Sequence, residues 1–411
     1  MPFDWYHMEM LTATISRQHL HELIDDELDH LIELRRDLHA HPELGYEERR
    51  TSGVVRRELD DIAVPYVADL AGGTGVMAHL PSGEGAAIGL RADMDALPII
   101  EESELDYGST TPGVMHACGH DGHTAILIGT TRILARLARE HELPRPVSFL
   151  FQPAEEGGAG GQRMVEEGCL RGTVIGTPIR YMFGLHGWPR MPLGSVGTRE
   201  GPLLAAADMF DIIVTGTGTH AALPHLGRDP IVAASAIVAA LQTIPSRSAD
   251  PLDAIVVSTT QIHAGTTHNI IPDQAVLNGT VRTLDPETQQ MAIRRLRELA
   301  EGVAAAHGCR AEVTYTIAYP ATLNDVQAVA IFNEVAREAL ADEHVMHIAR
   351  PIMGGEDFAF YAREVPSCFF LLGLRPPDQE TMPDVHQPTF NFNDDAIATG
   401  VEVFCRLALR P

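Results

Sequence analysis

Three short apolar runs in the first half of the chain each end at a group of polar residues. The runs cover 86–90, 147–151 and 181–185. Aspartates follow the first run, two adjacent glutamates follow the second, and His186 follows the third. A helical pattern over about 121–140 separates the first two runs. Strands that alternate with helices predict an open α/β sheet, in which the chemistry lies beyond the carboxyl ends of the strands.

The pattern of elements changes near residue 198. Strands are predicted over 209–215, 254–263, 274–283 and 310–316, and helices over about 230–243 and 286–307. This β-α-β-β-α-β order is that of a ferredoxin-like α+β domain. A chain of 411 residues is also longer than one hydrophobic core usually supports. We therefore predict a first domain formed by 1–197 and 311–411, interrupted by an insert over 198–310.

Composition excludes several classes of partner and mechanism. A net charge of −26 argues against nucleic acid or an anionic membrane surface as a partner. All 30 basic residues are arginine, so a Schiff base on lysine is impossible. The acidic, histidine-containing N-terminus does not resemble a leader peptide, and no apolar stretch is long enough for a membrane span. Five scattered cysteines indicate a reducing, cytoplasmic location.

The segment from His116 to His123 carries the residues that metal ions prefer. Cys118 and His120 offer a thiolate and an imidazole, which suit Zn²⁺ or a similar divalent ion. A lone Cys-x-His pair could be a core thiol beside a capping histidine. Here the two glycines and the additional Asp121 make the segment too polar for a core. His123 could hold a ligand through a hydrogen bond, or it could cap or pack within the following helix.

Glu155 and Glu156 form the second candidate group. Adjacent acids on a loop are usually a solvated pair, but these follow an apolar strand and precede a glycine-rich stretch. Two adjacent carboxylates cannot easily bind the same metal ion together, so we expect the two glutamates to have different roles. Glu156 would bind metal, while Glu155 would act as the base that moves a proton from water to the leaving amine. His186 and His386 then bring enough ligands for two metal ions.

Five motifs extend these observations over nearly the whole chain, from about residue 35 to 398. They are Leu38-His-Ala-His-Pro-Glu43-Leu, Arg91-Ala-Asp-Met-Asp95-Ala-Leu-Pro98, His116-Ala-Cys-Gly-His-Asp121, Gln152-Pro-Ala-Glu-Glu156-Gly and Gly354-Gly-Glu-Asp-Phe358. Together they resemble the aminoacylase/carboxypeptidase family of metallo-amidohydrolases. The similarity is greatest to its subfamily of hippurate hydrolases, N-acyl-amino-acid amidohydrolases and indoleacetyl-amino-acid hydrolases.

The resemblance implies a metallo-exopeptidase type of catalytic domain with two divalent ions. The implied metal ligands are Cys118, His120, Glu156, His186 and His386, with Glu155 as general base. Asp93 and Asp121 would contact the metal ligands and hold their side chains in place. Most of the wider family has a ligand histidine where this chain has Arg91. The thiolate favours zinc, whereas related enzymes also use manganese, cobalt or nickel.

The resemblance also assigns roles within the insert, as a lid or dimerisation domain of a homodimer. His220 would donate a hydrogen bond to the oxyanion, although it could be an ordinary turn histidine. Asn269 and Arg282 would bind the amide and carboxylate of the substrate, although a strand arginine is often simply solvated. The implied reaction is hydrolysis of an N-acyl-L-amino acid to a carboxylic acid and a free amino acid. The alternatives are a dipeptidase or carboxypeptidase acting on small peptides, and a binding protein on a retired hydrolase scaffold.

Overall fold

The computed structural model of the protein describes residues 15–410. The N-terminal residues that argue against a leader peptide lie outside this range. The helices are α1 (Arg17–Ala40), α2 (Arg49–Asp61), α3 (His120–Glu140), α4 (Gly160–Glu166), α5 (Pro230–Leu241), α6 (Pro286–Ala306), α7 (Val326–Ala339), α8 (Ala359–Ala362) and α9 (Ala396–Ala408). The strands are β1 (Tyr66–Leu70), β2 (Gly75–Leu80), β3 (Ala87–Asp93), β4 (Val147–Gln152), β5 (Ile179–Pro192), β6 (Val196–Thr198), β7 (Gly201–Leu204), β8 (Ala206–Thr215), β9 (Thr219–His220), β10 (Ile255–Ala264), β11 (Ile270–Ile271), β12 (Gln274–Thr283), β13 (Arg310–Tyr319), β14 (Thr322–Asn324), β15 (Val345–His347) and β16 (Ser367–Arg375).

The chain divides into two compact units. The first contains the chain as far as Leu203, together with Leu323–Ala349 and Asp357–Pro411, and the second contains Leu204–Thr322 and Arg350–Glu356. The second unit thus begins a few residues after the expected 198. It also runs past the expected 310, because its last strand, β13, continues to Tyr319. The short segment Arg350–Glu356, which the sequence analysis left in the first domain, belongs to the second unit.

An eight-stranded mixed sheet forms the centre of the first unit. Its strand order is β1-β2-β4-β3-β5-β16-β6-β15. The four central strands, β4, β3, β5 and β16, run parallel to one another. On one side β2 pairs antiparallel with β4 and with β1, and on the other side β6 pairs antiparallel with β16. Every residue of β3 and β4 is buried, as expected of strands covered on both faces. The predicted α/β class with an open mixed sheet is therefore confirmed. The carboxyl ends of β3 and β4 lie side by side, which brings the polar residues that follow them together.

Helix α1 shows how local sequence specifies an element of the first unit. Its buried residues, such as Leu20, Leu31 and Leu38, recur at helical spacing. The hydroxyl of Ser16 caps the first turn by accepting the backbone N–H of His19 at 3.0 Å. The helix ends at Ala40, before the His41-Pro42 pair, because a residue that precedes proline disfavours the helical conformation.

The second unit contains a four-stranded antiparallel sheet of order β10-β12-β8-β13. Its elements follow one another as β8, α5, β10, β12, α6 and β13, which is the predicted β-α-β-β-α-β order. In β8, Phe210, Ile212 and Val214 are buried in a core shared with α5 and α6. The alternate residues Met209 and Ile213 are exposed. This alternation is that of a sheet with helices packed on one face.

None of the helices in the described part of the chain is long and apolar enough to cross a membrane. All five cysteines are buried, and none of them forms a disulfide within the described residues.

Candidate active site

The turn into α3 places Cys118 and His120 beside each other. Gly119 lies between them with φ of +91°, a left-handed conformation that favours glycine. A Cβ atom added there would also lie 3.1 Å from the ring of Phe392. His120 is the first residue of α3, and both it and Cys118 are buried. The tight turn therefore directs a thiol and an imidazole from neighbouring positions into one site.

The hydrogen bonds of His120 determine which ring nitrogen can bind a metal ion. Nδ1 lies 2.9 Å from the backbone oxygen of Asp95 and 3.2 Å from its Oδ1, so it is the nitrogen that donates. Nε2 then carries the lone pair of a neutral ring. This nitrogen is buried and has no hydrogen-bond partner among the described residues. A buried, unpaired lone pair of this kind is the expected feature of a metal ligand.

His186 is oriented in the same way, although it lies within a strand and not after it. Strand β5 continues past the predicted end at 185 as far as Pro192, and His186 pairs in register with Leu371 of β16. Its Nδ1 donates to the backbone oxygen of Gly187 at 2.8 Å. Its Nε2 lies 3.3 Å from Sγ of Cys118. The ligand atoms of Cys118, His120 and His186 all lie within 4.8 Å of one another.

A second group of ligand atoms shares the same sulfur. Atoms of Cys118, Glu156 and His386 also lie within 4.8 Å of one another, and Nε2 of His386 is 3.1 Å from Oε1 of Glu156. His386 has φ of +65°, and its backbone N–H donates to the oxygen of Ala117 at 2.7 Å. The structure thus brings together all five residues that the resemblance implies as metal ligands.

The electrostatics of the site favour a bound cation. Burial opposes a charge on His120, yet the neighbouring carboxylates, led by that of Asp93, raise the pKa of His120 to about 10. Burial and the carboxylate of Glu156 raise the pKa of the Cys118 thiol well above its usual range. A divalent cation would replace the imidazole proton and stabilise the thiolate. Together with the unpaired Nε2 of His120, this set of sulfur, nitrogen and oxygen donors fits a metal ion.

Asp93 lies behind the site in a fully buried network. Its Oδ1 accepts a hydrogen bond from Nδ1 of His123 at 2.6 Å, and its Oδ2 accepts one from Arg91 at 2.6 Å. Nε2 of His123 accepts the backbone N–H of Gly187 at 2.8 Å. Both nitrogens of His123 are therefore engaged in hydrogen bonds. His123 thus binds Asp93 and the β5 backbone through its two ring nitrogens.

The side chain of Asp121 binds His39 and Arg35, whereas it was expected to hold a predicted metal ligand. Its Oδ2 accepts from Nδ1 of His39 at 2.8 Å and lies 2.9 Å from Nε of Arg35. Burial opposes its charge, but Arg35 and His39 hold the pKa of the Asp121 carboxyl far below its usual value. Asp95 is instead hydrogen-bonded to a predicted ligand. Its Oδ1 lies near Nδ1 of His120, and its Oδ2 accepts the backbone N–H of Glu156 at 2.8 Å.

Glu155, the predicted base, follows β4 and is buried. Its Oε1 accepts the backbone N–H of Asp357 at 3.3 Å. The ligand atoms of Glu155, Glu156 and His120 lie within 4.8 Å of one another. The carboxylate of Asp357 is itself held by Arg91, by the side-chain amide of Gln152 and by a backbone N–H. Glu155 thus lies beside the candidate ligands, at the end of a buried hydrogen-bonded network.

The remaining predicted residues belong to the second unit. His220 and Asn269 are neighbours there, because β9 pairs with β11 and the N–H of Ala221 donates to the oxygen of Asn269 at 2.9 Å. Both side chains are exposed. Arg282 lies on β12, half-buried, and burial lowers the pKa of its guanidinium although Asp208 favours the charge.

Comparison with known proteins identifies the family. The model of peptidase family M20/M25/M40 matches residues 89–410. N-acetylcysteine deacetylase of Bacillus subtilis is 40% identical over 382 residues, which cover 92% of this chain and 96% of that protein. The chain belongs to peptidase family M20/M25/M40.

Two further relatives support the assignment to the M20 family. IAA-amino acid hydrolase ILR1-like 2 of Arabidopsis thaliana is 39% identical over 386 residues, covering 93% of this chain and 85% of that protein. The crystal structure of Bacillus subtilis YXEP, described as a dinuclear metal-binding peptidase from the M20 family, superposes with a TM-score of 0.80 at 37% identity. It covers 94% of this chain and 98% of that one. The protein is thus a hydrolase that acts on amide bonds.

Several residues around the M20 site were not singled out by the sequence analysis. They are Glu48, Asp95, Gln152 and, as a buried cation, Arg91. Asp95 and Gln152 lie at the carboxyl ends of β3 and β4, which is the edge of the sheet where functional residues are expected. Glu48 carries no such signal, because it lies far away in sequence and only the fold brings it to the turn before Glu155.

Proposed function

We propose that this M20 hydrolase cleaves the amide bond of N-acyl-L-amino acids, giving a carboxylic acid and a free amino acid. The observation that carries the proposal is the convergence of two groups of ligand atoms on Cys118, with Glu155 beside them. The names of the relatives support the substrate class, because they refer to N-acetylcysteine and to conjugates of amino acids. The same names favour an acyl amino acid over a dipeptide as the substrate.

Two divalent metal ions would complete the site. One would be held by Cys118, His120 and His186, and the other by Cys118, Glu156 and His386. When bound, the ions would polarise the amide carbonyl and make water a stronger nucleophile at neutral pH. We infer zinc, because a thiolate and imidazoles are ligands that zinc prefers. The description of YXEP as a dinuclear metal-binding protein supports the number of ions.

Glu155 would move the proton during the reaction. Its carboxylate is buried and fixed by the backbone N–H of Asp357, so it can face the attacking water in one orientation. It would accept the proton of the water as the oxygen attacks the carbonyl carbon. It would then deliver that proton to the amide nitrogen as the carbon–nitrogen bond breaks. The base is therefore regenerated in each turnover.

The second unit would contribute substrate recognition. From the family resemblance we assign His220 as the donor to the oxyanion. The pairing of β9 with β11 places His220 near Asn269. Asn269 would bind the amide, and Arg282 would bind the carboxylate of the amino acid. The planar guanidinium suits a carboxylate, since it can donate two parallel hydrogen bonds.

A homodimer through the insert is part of the proposal. Strand β10 lies at one edge of the second unit's sheet, and Ile262 on it is 54% exposed. Helix α5 adds the exposed Ile231 and Val232. We expect Ile262→Arg to give a monomer by light scattering, whereas Thr316→Arg on the opposite edge strand, β13, should not. A wild-type protein that is monomeric at micromolar concentration would contradict the dimer.

A cytoplasmic location, which the unpaired cysteines support, also stays a prediction.

The test of the reaction combines a substrate panel with one substitution. The panel contains N-acetyl-L-cysteine, hippurate, a long-chain acyl-glutamine and several dipeptides, and amine release is measured with the metal content known. Glu155→Gln keeps the size of the side chain and an acceptor for Asp357 but cannot take up the proton. We expect its kcat to fall by about 100-fold or more with metal retained. Near-normal turnover by this variant, or preference for dipeptides, would overturn the proposal.

A further inference from the structure

The turn that carries the base Glu155 has an unfavourable backbone conformation. Ala154, the residue before it, has φ of +53°, in the left-handed region that residues with a Cβ rarely adopt. Backbone packs closely on both sides, since a Cβ atom on Gly158 would lie 2.6 Å from Cβ of Ala154, and one on Gly45 would lie 3.1 Å from it. Such a conformation is energetically unfavourable and persists only where its surroundings fix it.

A buried glutamate from a distant part of the chain supplies one of the contacts that fix it. Glu48 is fully buried at the start of α2. Its Oε1 accepts the backbone N–H of Ala154 at 2.8 Å. Its Oε2 accepts the hydroxyl of Thr74 at 2.8 Å, which fixes the carboxyl group in turn. Both oxygens are therefore engaged, and one of them bonds the strained residue itself.

We propose that Glu48 is a positioning residue for the reaction, holding Ala154 in its left-handed conformation so that Glu155 faces the substrate. The inference rests on the proposed role of Glu155 as the base. Glu48 does not contact the reacting atoms and acts only through the backbone of the turn.

The neighbouring ligand Glu156 is held independently of Glu48. Its backbone N–H donates to Oδ2 of Asp95 at 2.8 Å, and its carboxylate lies beside His386. Loss of Glu48 should therefore disturb Glu155 more than the metal ligand that follows it. This separates the expected effect on kcat from any effect on metal content.

The state of ionisation of Glu48 does not decide the outcome. Burial raises the pKa of Glu48 to about 7, against hydrogen bonds from Thr74 and Ala154 that favour the charged form. The carboxylate accepts with both oxygens, and the neutral acid still keeps one oxygen as an acceptor. Glutamine has the same length and also keeps one oxygen acceptor. Glu48→Gln is therefore a conservative substitution, whereas Glu48→Ala removes the contact altogether.

Glu43 offers a matched control at the same end of α2. Its carboxylate accepts the backbone N–H groups of Arg50 and Thr51 at 2.9 and 2.8 Å. It thus stabilises the first turn of the helix, but none of its side-chain contacts reaches Ala154. Glu43→Ala should lower stability through this helix end and leave the turn before Glu155 in place.

The experiment measures kcat, KM, bound metal and the melting temperature of full-length variants, on N-acetyl-L-cysteine or hippurate, whichever is turned over faster. For Glu48→Ala we expect kcat per folded, metal-loaded chain to fall roughly 10- to 100-fold with KM little changed, since small misplacements of a catalytic group have effects of this size. Glu48→Gln should restore most of kcat. Adding Ala154→Gly to Glu48→Ala should recover part of kcat, because glycine adopts positive φ without cost.

The possible outcomes distinguish this inference from the proposed function. Turnover by Glu48→Ala equal to that of Glu43→Ala would overturn it, as would a double variant no faster than Glu48→Ala. If Glu48→Ala does not fold, Glu48→Asp keeps the charge but shortens the reach to Ala154, and unchanged kcat in that variant would have the same meaning. Glu155→Gln is assayed in parallel. If it keeps turnover, the proposed function itself fails, whatever the Glu48 variants do.

Discussion

Sγ of Cys118 lies 3.3 Å from Nε2 of His186, and the same sulfur groups with the ligand atoms of Glu156 and His386. One thiol is therefore common to two sets of donors that come from separate elements of the first unit. Cys118 would therefore be a ligand of both ions in the proposed metal pair.

Replacement of Cys118 should therefore affect both metal ions together. We expect Cys118→Ala to lose more than half of the bound metal by elemental analysis and nearly all turnover. The matched control is Cys405→Ala, since Cys405 is equally buried but lies within the core on α9. The control should lower stability by about 1–2 kcal/mol, as expected for a small core truncation, and keep its metal. Full metal content in Cys118→Ala would contradict a shared ligand.

Removal of metal should loosen one unit only. All five candidate ligands belong to the first unit, so metal stabilises that unit by mass action, by about 3–4 kcal/mol at metal concentrations 100–1,000 times the Kd. We expect chelation to increase hydrogen exchange in α3 and in the turn after β4. Exchange in β8 and β12 of the second unit should stay unchanged, and it serves as the internal control. Equal loosening of both units would count against this placement of the metal.

Asp95 and Asp121 should separate metal binding from stability. The carboxylate of Asp95 contacts His120 and the backbone of Glu156, so Asp95→Asn should weaken metal affinity by about 10- to 100-fold, measured by competition with a chelator. Asp121 pairs with the buried Arg35, so Asp121→Asn should instead lower the free energy of unfolding by about 3–5 kcal/mol. The opposite pattern would restore Asp121 to the role that the sequence suggested.

Arg91 should behave as a structural cation. It is fully buried and pairs with Asp93 at 2.6 Å and Asp357 at 2.8 Å. Arg91→Met leaves two carboxylates without that partner, and we expect the free energy of unfolding to fall by about 3–5 kcal/mol in urea titrations. Arg136→Met is the control, because its pair with Asp26 is exposed and should contribute about 1 kcal/mol or less. Similar losses in the two variants would contradict the assignment.

Glu48 should make stability depend on pH. Burial raises its pKa from the usual 4.5 to about 7, so in the folded protein its ionisation is unfavourable. The unfolded chain ionises first, and stability is therefore lost as pH rises from about 4.5 through 7. Glu48→Gln removes this loss and should exceed the wild type by up to about 3 kcal/mol at pH 8. The difference should shrink towards pH 4.5 in denaturant titrations, and a difference that does not vary with pH would refute this explanation.

Most of the architecture followed from local patterns. The helical pattern over about 121–140 predicted α3, and the order of elements predicted the fold of the second unit. The limits of strands were less predictable. Strand β5 continues beyond the predicted ligand His186, because hydrogen bonding to β16 supports it past the point where the apolar run ends.

The candidate site divides in the same way. Residue types and motifs indicated six candidate residues, because thiol, imidazole and carboxylate groups can bind metal or move protons whatever fold surrounds them. The six are Cys118, His120, Glu155, Glu156, His186 and His386. The sequence did not show which acid binds which partner. Asp121 was expected to hold a predicted metal ligand, but it binds His39, and the acid hydrogen-bonded to His120 is Asp95. Both aspartates lie in motifs close to the ligands, and sequence distance does not distinguish them.

The sequence by itself determined the family, the order of the elements and the set of groups able to bind metal, because these depend on residue type and short-range spacing. Only the tertiary structure decided which nitrogen of His120 is left unpaired, that Arg91 joins two carboxylates, and that Glu48 reaches Ala154. Those relationships depend on hydrogen bonds between residues far apart in the chain. Their geometry exists only after the sheet has assembled.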